Sequence, residues 1–220
     1  VYGTSALTAI TAQNTLGVTR VLELPPDLVA AQIDAIISDI GADAVKTGML
    51  ANSGIIRVVV DKVKEHGLLN LVVDPVMVAK GGDRLLQEEA VEVLRSLLIP
   101  LATVVTPNLP EAAVLVGRRV ESLEEARQAA RDIVDMGARA VVVKGGPLPG
   151  DAIDVFYDGR KLREFTAPRI ETSSTHGTGC TFASAIAAGL AKGMGIEEAV
   201  ARAKEYVTEA IRRDFPMGGG

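Results

Sequence analysis

The chain of 220 residues contains one cysteine, Cys180, so no disulfide can form within it, and an intracellular setting is the default. Tryptophan is absent and aromatic residues make up only 3% of the chain, so its core must be assembled from Val, Ile, Leu and Ala. Such a core suits strands buried on both faces beneath helices. There are two histidines, His66 and His176, far apart in sequence, and a zinc cluster is not expected. The net charge is −5 and no basic block stands out, which argues against nucleic-acid binding by phosphate neutralisation. No apolar run is long enough to span a bilayer and no signal peptide is visible. A membrane partner is therefore not expected, and the expected location is the cytoplasm.

Hydrophobic residues are 48% and charged residues 23%, the proportions of an ordinary globular protein, and the length fits one substantial core. The first residues, from Val1, read as a turn into a strand already in mid-fold. The last, Pro216-Met217-Gly218-Gly219-Gly220, read as a loop cut short, so further residues are expected at both ends.

Extended segments are expected over 4–13 and 17–24, around Asn14-Thr15-Leu16-Gly17. Pro25-Pro26-Asp27 opens a helix with Val29, Ile33, Ile36, Ile37 and Ile40 on one face. Short apolar strands are expected at 44–47, 71–74, 103–106 and 140–144, with helices at 53–65, 87–98 and after Pro107. Ser122 and Glu125 have capping-box spacing and start a helix to about Met136. A β-hairpin is expected at 155–165, turning at Asp158-Gly159, followed by helices at 178–192 and 196–213. Alternating strands and helices are the pattern of a layered α/β fold with a mainly parallel sheet. Ligands bind beyond the carboxyl ends of such strands, where Asp74, Thr106-Pro107-Asn108 and Lys144-Gly145-Gly146 lie.

Thr175-His176-Gly177-Thr178-Gly179-Cys180-Thr181 joins a polar run to a helix rich in Ala and Gly. Its glycines let backbone N–H groups face an anion at a helix start, where the dipole adds partial positive charge. The plain alternative is a glycine-rich helix entry. Cys180 in the first turn is expected to have a lowered thiol pKa, suited to accept a proton. Asp74 and Glu111 are candidate magnesium supports, against a strand-end turn and a dipole-favoured helix-start carboxylate. Lys144 reads as a phosphate contact or as a sheet edge meeting water. Gln13 could read a planar heterocycle through its amide. Met49 could line a ring pocket or simply fill core.

Thr11-Ala12-Gln13-Asn14-Thr15, Lys46-Thr47-Gly48-Met49-Leu50, Asp74-Pro75-Val76-Met77, residues 106–112, Val143-Lys144-Gly145-Gly146 and residues 175–181 occur in this order. Together they resemble the hydroxymethylpyrimidine/phosphomethylpyrimidine kinases of thiamine biosynthesis, over essentially the whole chain. The resemblance implies a ribokinase-like fold, a three-layer αβα sandwich around a mainly parallel sheet. It also implies MgATP-dependent phosphorylation of the pyrimidine alcohol and then of its monophosphate. It places Gln13, Met49 and Val76 on the pyrimidine, Asp74 and Glu111 at Mg²⁺, and Lys144, Asn108 and Thr178 on ATP. Gly177, Thr178, Gly179 and Cys180 become the catalytic anion site, with Cys180 where the wider superfamily carries an Asp base. Whether Cys180 is the base or only a neighbour of the γ-phosphate stays open.

The family also begins with a strand, a glycine-rich loop and a helix that are not in this chain. Residues 1–220 are thus expected to be a single ribokinase-like domain without that segment. A homodimer is the expected assembly. Two alternatives stand beside this reading: a pyridoxine or pyridoxal kinase of the same superfamily, and a non-catalytic pyrimidine-binding regulator.

Overall fold

The computed structural model describes residues 1–77, 86–146, 150–172, 175–214 and Gly218; the expected C-terminal loop lies largely outside them. The chain opens with an antiparallel hairpin of β1 (Ala9–Gln13) and β2 (Val18–Glu23), separate from the main sheet. Residues 4–8, expected to be extended with β1, are not strand. There the Gln32 side chain takes the place of a partner strand, accepting from Leu7 N at 2.9 Å and donating to Leu7 O at 3.0 Å.

Next come α1 (Pro26–Asp39), β3 (Val45–Thr47), α2 (Ser53–Glu65) and β4 (Leu71–Val73). Pro26 at the first position of α1 costs nothing there, because that N–H would have no helical partner. Asn52 caps α2 by accepting from Ile55 N at 2.9 Å. The far ends of these two helices are tied by Asp34, which takes Lys62 at 2.8 Å and His66 at 2.7 Å.

The helix expected over 87–98 is shorter and changes character. α3 (Glu88–Val93) passes into a π turn at Leu94–Leu98, and a 3₁₀ turn follows at Ile99–Leu101. Pro100 has no N–H to continue an α-ladder, and Ile99 N instead reaches back to Leu94 O.

β5 (Val104–Val105), α4 (Leu109–Val116), α5 (Leu123–Asp135) and β6 (Val141–Lys144) follow. The chain then enters β7 (Ala152–Tyr157), β8 (Leu162–Ala167), α6 (Thr178–Ala191) and α7 (Ile196–Arg212). β7 begins at Ala152, earlier than the expected 155, because its pairing reaches Asp154 opposite Lys144 on β6 and Ala152 opposite Ala167 on β8.

The main sheet has six strands in the order β3-β4-β5-β6-β7-β8. The first four run parallel, and β7 and β8 are antiparallel. Successive residues face opposite sides of a strand, and the buried valines divide accordingly. Leu71, Val73, Val105, Val141, Val143 and Val155 join the core beneath α2, α4 and α5. Val72, Val104, Val142 and Phe156 join a second core beneath α6 and α7. This is the three-layer αβα arrangement. Slipping one strand by a residue would exchange its two faces, and each fully buried valine is worth about 1.5–3 kcal/mol.

The small residues of α6 serve a helix contact as well as the sheet. A methyl on Gly189 would stand 3.0 Å from Ala199 Cβ on α7. Among the described residues, no helix is long and apolar enough to cross a membrane.

Candidate active site

Asp74 stands just beyond β4, its N–H held by Thr47 O on β3 at 3.1 Å. Its carboxylate is 2% exposed and must be compensated inside the fold. Thr106, beyond β5, donates to Oδ1 at 3.3 Å, and Lys144, ending β6, donates to the same oxygen at 3.2 Å. Lys46 of β3 approaches Oδ2 at 3.6 Å. Three strand ends expected to converge do so.

Lys46 was not among the residues singled out by sequence. It stands one residue before the end of β3 with Gly48 just beyond, where a methyl would come within 2.9 Å of its ammonium. The strand-end argument that selected Lys144 would have found it.

Lys144 is braced from two sides. Its N–H donates to Pro107 O at 2.8 Å. The next N–H, of Gly145, donates to Asp154 Oδ1 at 3.2 Å, and the other oxygen of Asp154 takes Lys204 at 2.8 Å.

Asn108 and Glu111 form a capping box at the start of α4. Asn108 Oδ1 accepts from Glu111 N at 2.8 Å, and Glu111 Oε2 accepts from Asn108 N at 2.8 Å. Glu111 is buried, and burial pushes its carboxyl above the ordinary range. Lys144 and the N–H groups of Asn108 and Met77 oppose that rise, while the charge of Asp74 adds to it. The bland helix-start role weighed for Glu111 is thus present in the structure. The box expected at Ser122 is partial: Ser122 caps α5, but Glu125 Oε2 accepts from Glu121 N and the Ser122 hydroxyl.

Gly177 is the N-cap of α6 with φ of 78°, a left-handed conformation that glycine adopts without the cost of a Cβ. Thr178 turns its hydroxyl back to Thr175 O at 2.9 Å, and its N–H to the same oxygen at 3.4 Å. Gly179 and Cys180, in the first turn, have no intrahelical acceptor for their N–H groups. A methyl on Gly179 would be 3.2 Å from the Lys144 ammonium, so glycine leaves the room that Lys144 occupies.

The expectation of a lowered Cys180 pKa is overturned. Although the residue keeps surface open to solvent, partial burial pushes its thiol up, and the charge and hydrogen bond of Asp74 push the same way. Lys46 and, less strongly, Lys144 oppose them. The helix start does not act alone here, because a carboxylate sits beside the sulfur.

The hairpin brings Gln13 to this region. Its pairing with β2 is irregular between Ala12 and Gln13, and Gln13 Nε2 lies 3.3 Å from His176 Nε2. Met49 is half-buried, and its carbonyl accepts from Thr8 Oγ1 at 2.6 Å, which ties the hairpin's approach to the loop beyond β3. Val76 is half-buried in the turn after Asp74. A cavity of about 740 Å³, lined by Asn70, Thr103, Arg139 and Arg163 among others, lies at the opposite ends of the strands.

The site therefore gathers two lysines, a buried carboxylate, a thiol and a glycine-opened helix start, with an amide side chain from a hairpin nearby. The sequence profile of phosphomethylpyrimidine kinase matches residues 1–220. The chain belongs to this family. It is 52% identical over 220 residues to the thiamine biosynthesis bifunctional protein of Geobacter sulfurreducens, of which it spans 45% of the length. It is 47% identical to the hydroxymethylpyrimidine/phosphomethylpyrimidine kinase of Bacillus subtilis, covering all of this chain and 82% of the relative.

Among solved structures it is similar to an ADP complex of Bacillus subtilis pyridoxal kinase, with a TM-score of 0.92 and 42% identity over 99% of this chain and 84% of that one. It is also similar to the phosphomethylpyrimidine kinase of Clostridium difficile, with a TM-score of 0.84 and 40% identity over 96% of this chain and 87% of that one. The fold is that of these vitamin kinases.

Proposed function

We propose that the chain carries ATP-dependent phosphorylation of hydroxymethylpyrimidine and of its monophosphate. The observation that carries this reading is the meeting of Lys46, Asp74, Lys144 and Cys180 at the glycine-opened start of α6. Phosphoryl transfer needs positioning and compensation of charge more than covalent chemistry from the protein. The N–H groups of Gly179 and Cys180 and the ammonium of Lys144 supply both for the donor phosphates. Gln13 reads the amino edge of the ring, with Met49 and Val76 against its face. The Asn108–Glu111 box fixes the loop between β5 and α4, so Asn108 serves the nucleotide side by holding that loop in place. Thr178 holds the helix-entry loop closed on Thr175 and keeps acceptor capacity on its hydroxyl.

Asp74, a hard oxygen donor at the strand ends, would hold a magnesium ion through water or once Lys46 and Lys144 turn to the phosphates, and the ion would supply neutralisation of phosphate charge there. Glu111 fits less well as a direct ligand, since its carboxylate is engaged by backbone N–H groups. The raised thiol makes Cys180 a hydrogen-bonding neighbour of the acceptor rather than its base at neutral pH.

A pyridoxal kinase is the second reading, favoured by the Bacillus subtilis structure that binds ADP under that description. Steady-state ADP release measured with the pyrimidine alcohol and with pyridoxal decides between them. Higher kcat/KM on the alcohol supports the proposal. Higher kcat/KM on pyridoxal overturns it, and binding of either without ADP release leaves the non-catalytic regulator. We also place the protein in the cytoplasm as a homodimer, for which Ile10 and Leu22, paired and exposed on the hairpin, offer apolar surface.

A further inference from the structure

Two lysines share one buried carboxylate, but they face different parts of the site. Lys144 lies on the donor side, where its ammonium fills the space left by Gly179 at the start of α6. Lys46 approaches the other oxygen of Asp74 from β3, the strand that leads into Gly48 and Met49. Met49 is in turn tied to the hairpin that carries Gln13. Lys46 therefore belongs to the acceptor end. Its side chain is 19% exposed, open enough to meet an incoming group. Asp74 is shared by the two ammonium groups, and Glu111 acts on Lys144 and Asp74 from α4, so Lys144 is the lysine that a second carboxylate compensates.

The two acceptors of the proposed reaction differ in charge. The alcohol is neutral, whereas its phosphate ester carries roughly −1.5 to −2 at neutral pH. A donor-side lysine serves both steps alike. A cation at the acceptor end favours the second step, whose acceptor is the charged one.

We propose that Lys46 is the specificity-determining residue for the second phosphorylation, binding the phosphate of the monophosphate acceptor. This inference rests on the pyrimidine-kinase reading above. Lys46 donates to the acceptor's phosphate oxygens, so that the nucleophile is held in place while its charge is compensated. Asp74 keeps the ammonium aligned when the alcohol is bound instead.

The test compares wild type with Lys46→Met, Lys46→Gln and Lys46→Arg, on the alcohol and on the monophosphate separately. In the Met and Gln variants, kcat/KM for the monophosphate is expected to fall roughly 30–100-fold, the scale of one lost charge-assisted hydrogen bond. That for the alcohol is expected to fall less; Asp74 loses a partner in both steps, so the ratio of the two values is the readout. The monophosphate should then accumulate as product and inhibit the alcohol step less strongly. Lys46→Arg should recover most of the second step.

Equal loss of both steps in Met and Gln variants that remain folded by circular dichroism overturns the proposal, as does a larger loss on the alcohol. If one variant does not fold, the other decides. Wild-type protein inactive on both acceptors would instead refute the underlying reading.

Discussion

Replacing Asp74 with asparagine removes the negative charge that Lys46 and Lys144 share while keeping the size of the side chain. At 3.2 and 3.6 Å each pair has a gross attraction of about 5 kcal/mol for an effective dielectric of about 20, most of it offset by desolvation. Breaking a fully buried pair costs about 3–5 kcal/mol. The lysines are 17% and 19% exposed, and asparagine still accepts from Thr106, so about 2–3 kcal/mol is expected here. For a domain of this size that lowers Tm by roughly 4–12 °C.

The same change must act on Cys180 in the opposite sense. Asp74 helps hold that thiol up, so its removal leaves Lys46 and Lys144 to lower the pKa. Alkylation at pH 7.5, roughly one unit below the ordinary thiol value, should therefore become several-fold faster in Asp74→Asn even as the protein melts earlier. Calorimetry and a timed iodoacetamide reaction followed by mass spectrometry measure the two effects on one sample. An unchanged Tm together with unchanged or slower alkylation would refute the claim that Asp74 balances these lysines.

Two further outcomes follow from the same geometry. Wild-type Cys180 should alkylate with a rate whose half-maximum lies above about pH 8.5, where an ordinary thiol is half ionised. Its raised pKa keeps the proton on sulfur to higher pH, so a half-maximum at or below that value would contradict the assigned environment. Gly177→Ala meets no atom within 4 Å, so its cost is the left-handed backbone alone, about 1–2 kcal/mol, read as a lower Tm. Gly177→Asn should recover part of that loss, and equal melting of all three proteins would exclude strain at this turn.

The layered fold was legible because three of the four parallel strands, β4, β5 and β6, are short Val-rich runs flanked by turn residues, and α2, α5 and α7 show helical periodicity. The strand-end rule placed Asp74, Asn108 and Lys144 together. Other features depended on partners distant in the chain. Residues 4–8 read as strand by composition, yet the amide of Gln32 took up the backbone groups a neighbouring strand would have used. The π turn before Pro100 was hidden inside an ordinary apolar helical pattern. Cys180 was judged from its helix position, but the carboxylate that controls it arrives from β4, on another layer. Lys46 lies in one of the resembling motifs, but its role depends on the carboxylate of Asp74, which the neighbouring strand brings to it.

The antiparallel hairpin of β7 and β8 supplies none of the proposed site residues, yet it governs how the site works. Through Asp154 it pins the backbone just after Lys144, while Pro107 takes the Lys144 N–H itself, so the strand end from which the side chain reaches Asp74 is fixed when the chain folds. Charge that develops during transfer then meets a dipole and a cation already in place, and little rearrangement of the surroundings accompanies each turnover. β7, backed by β8, is in this sense the mounting of the lysine proposed for the donor side.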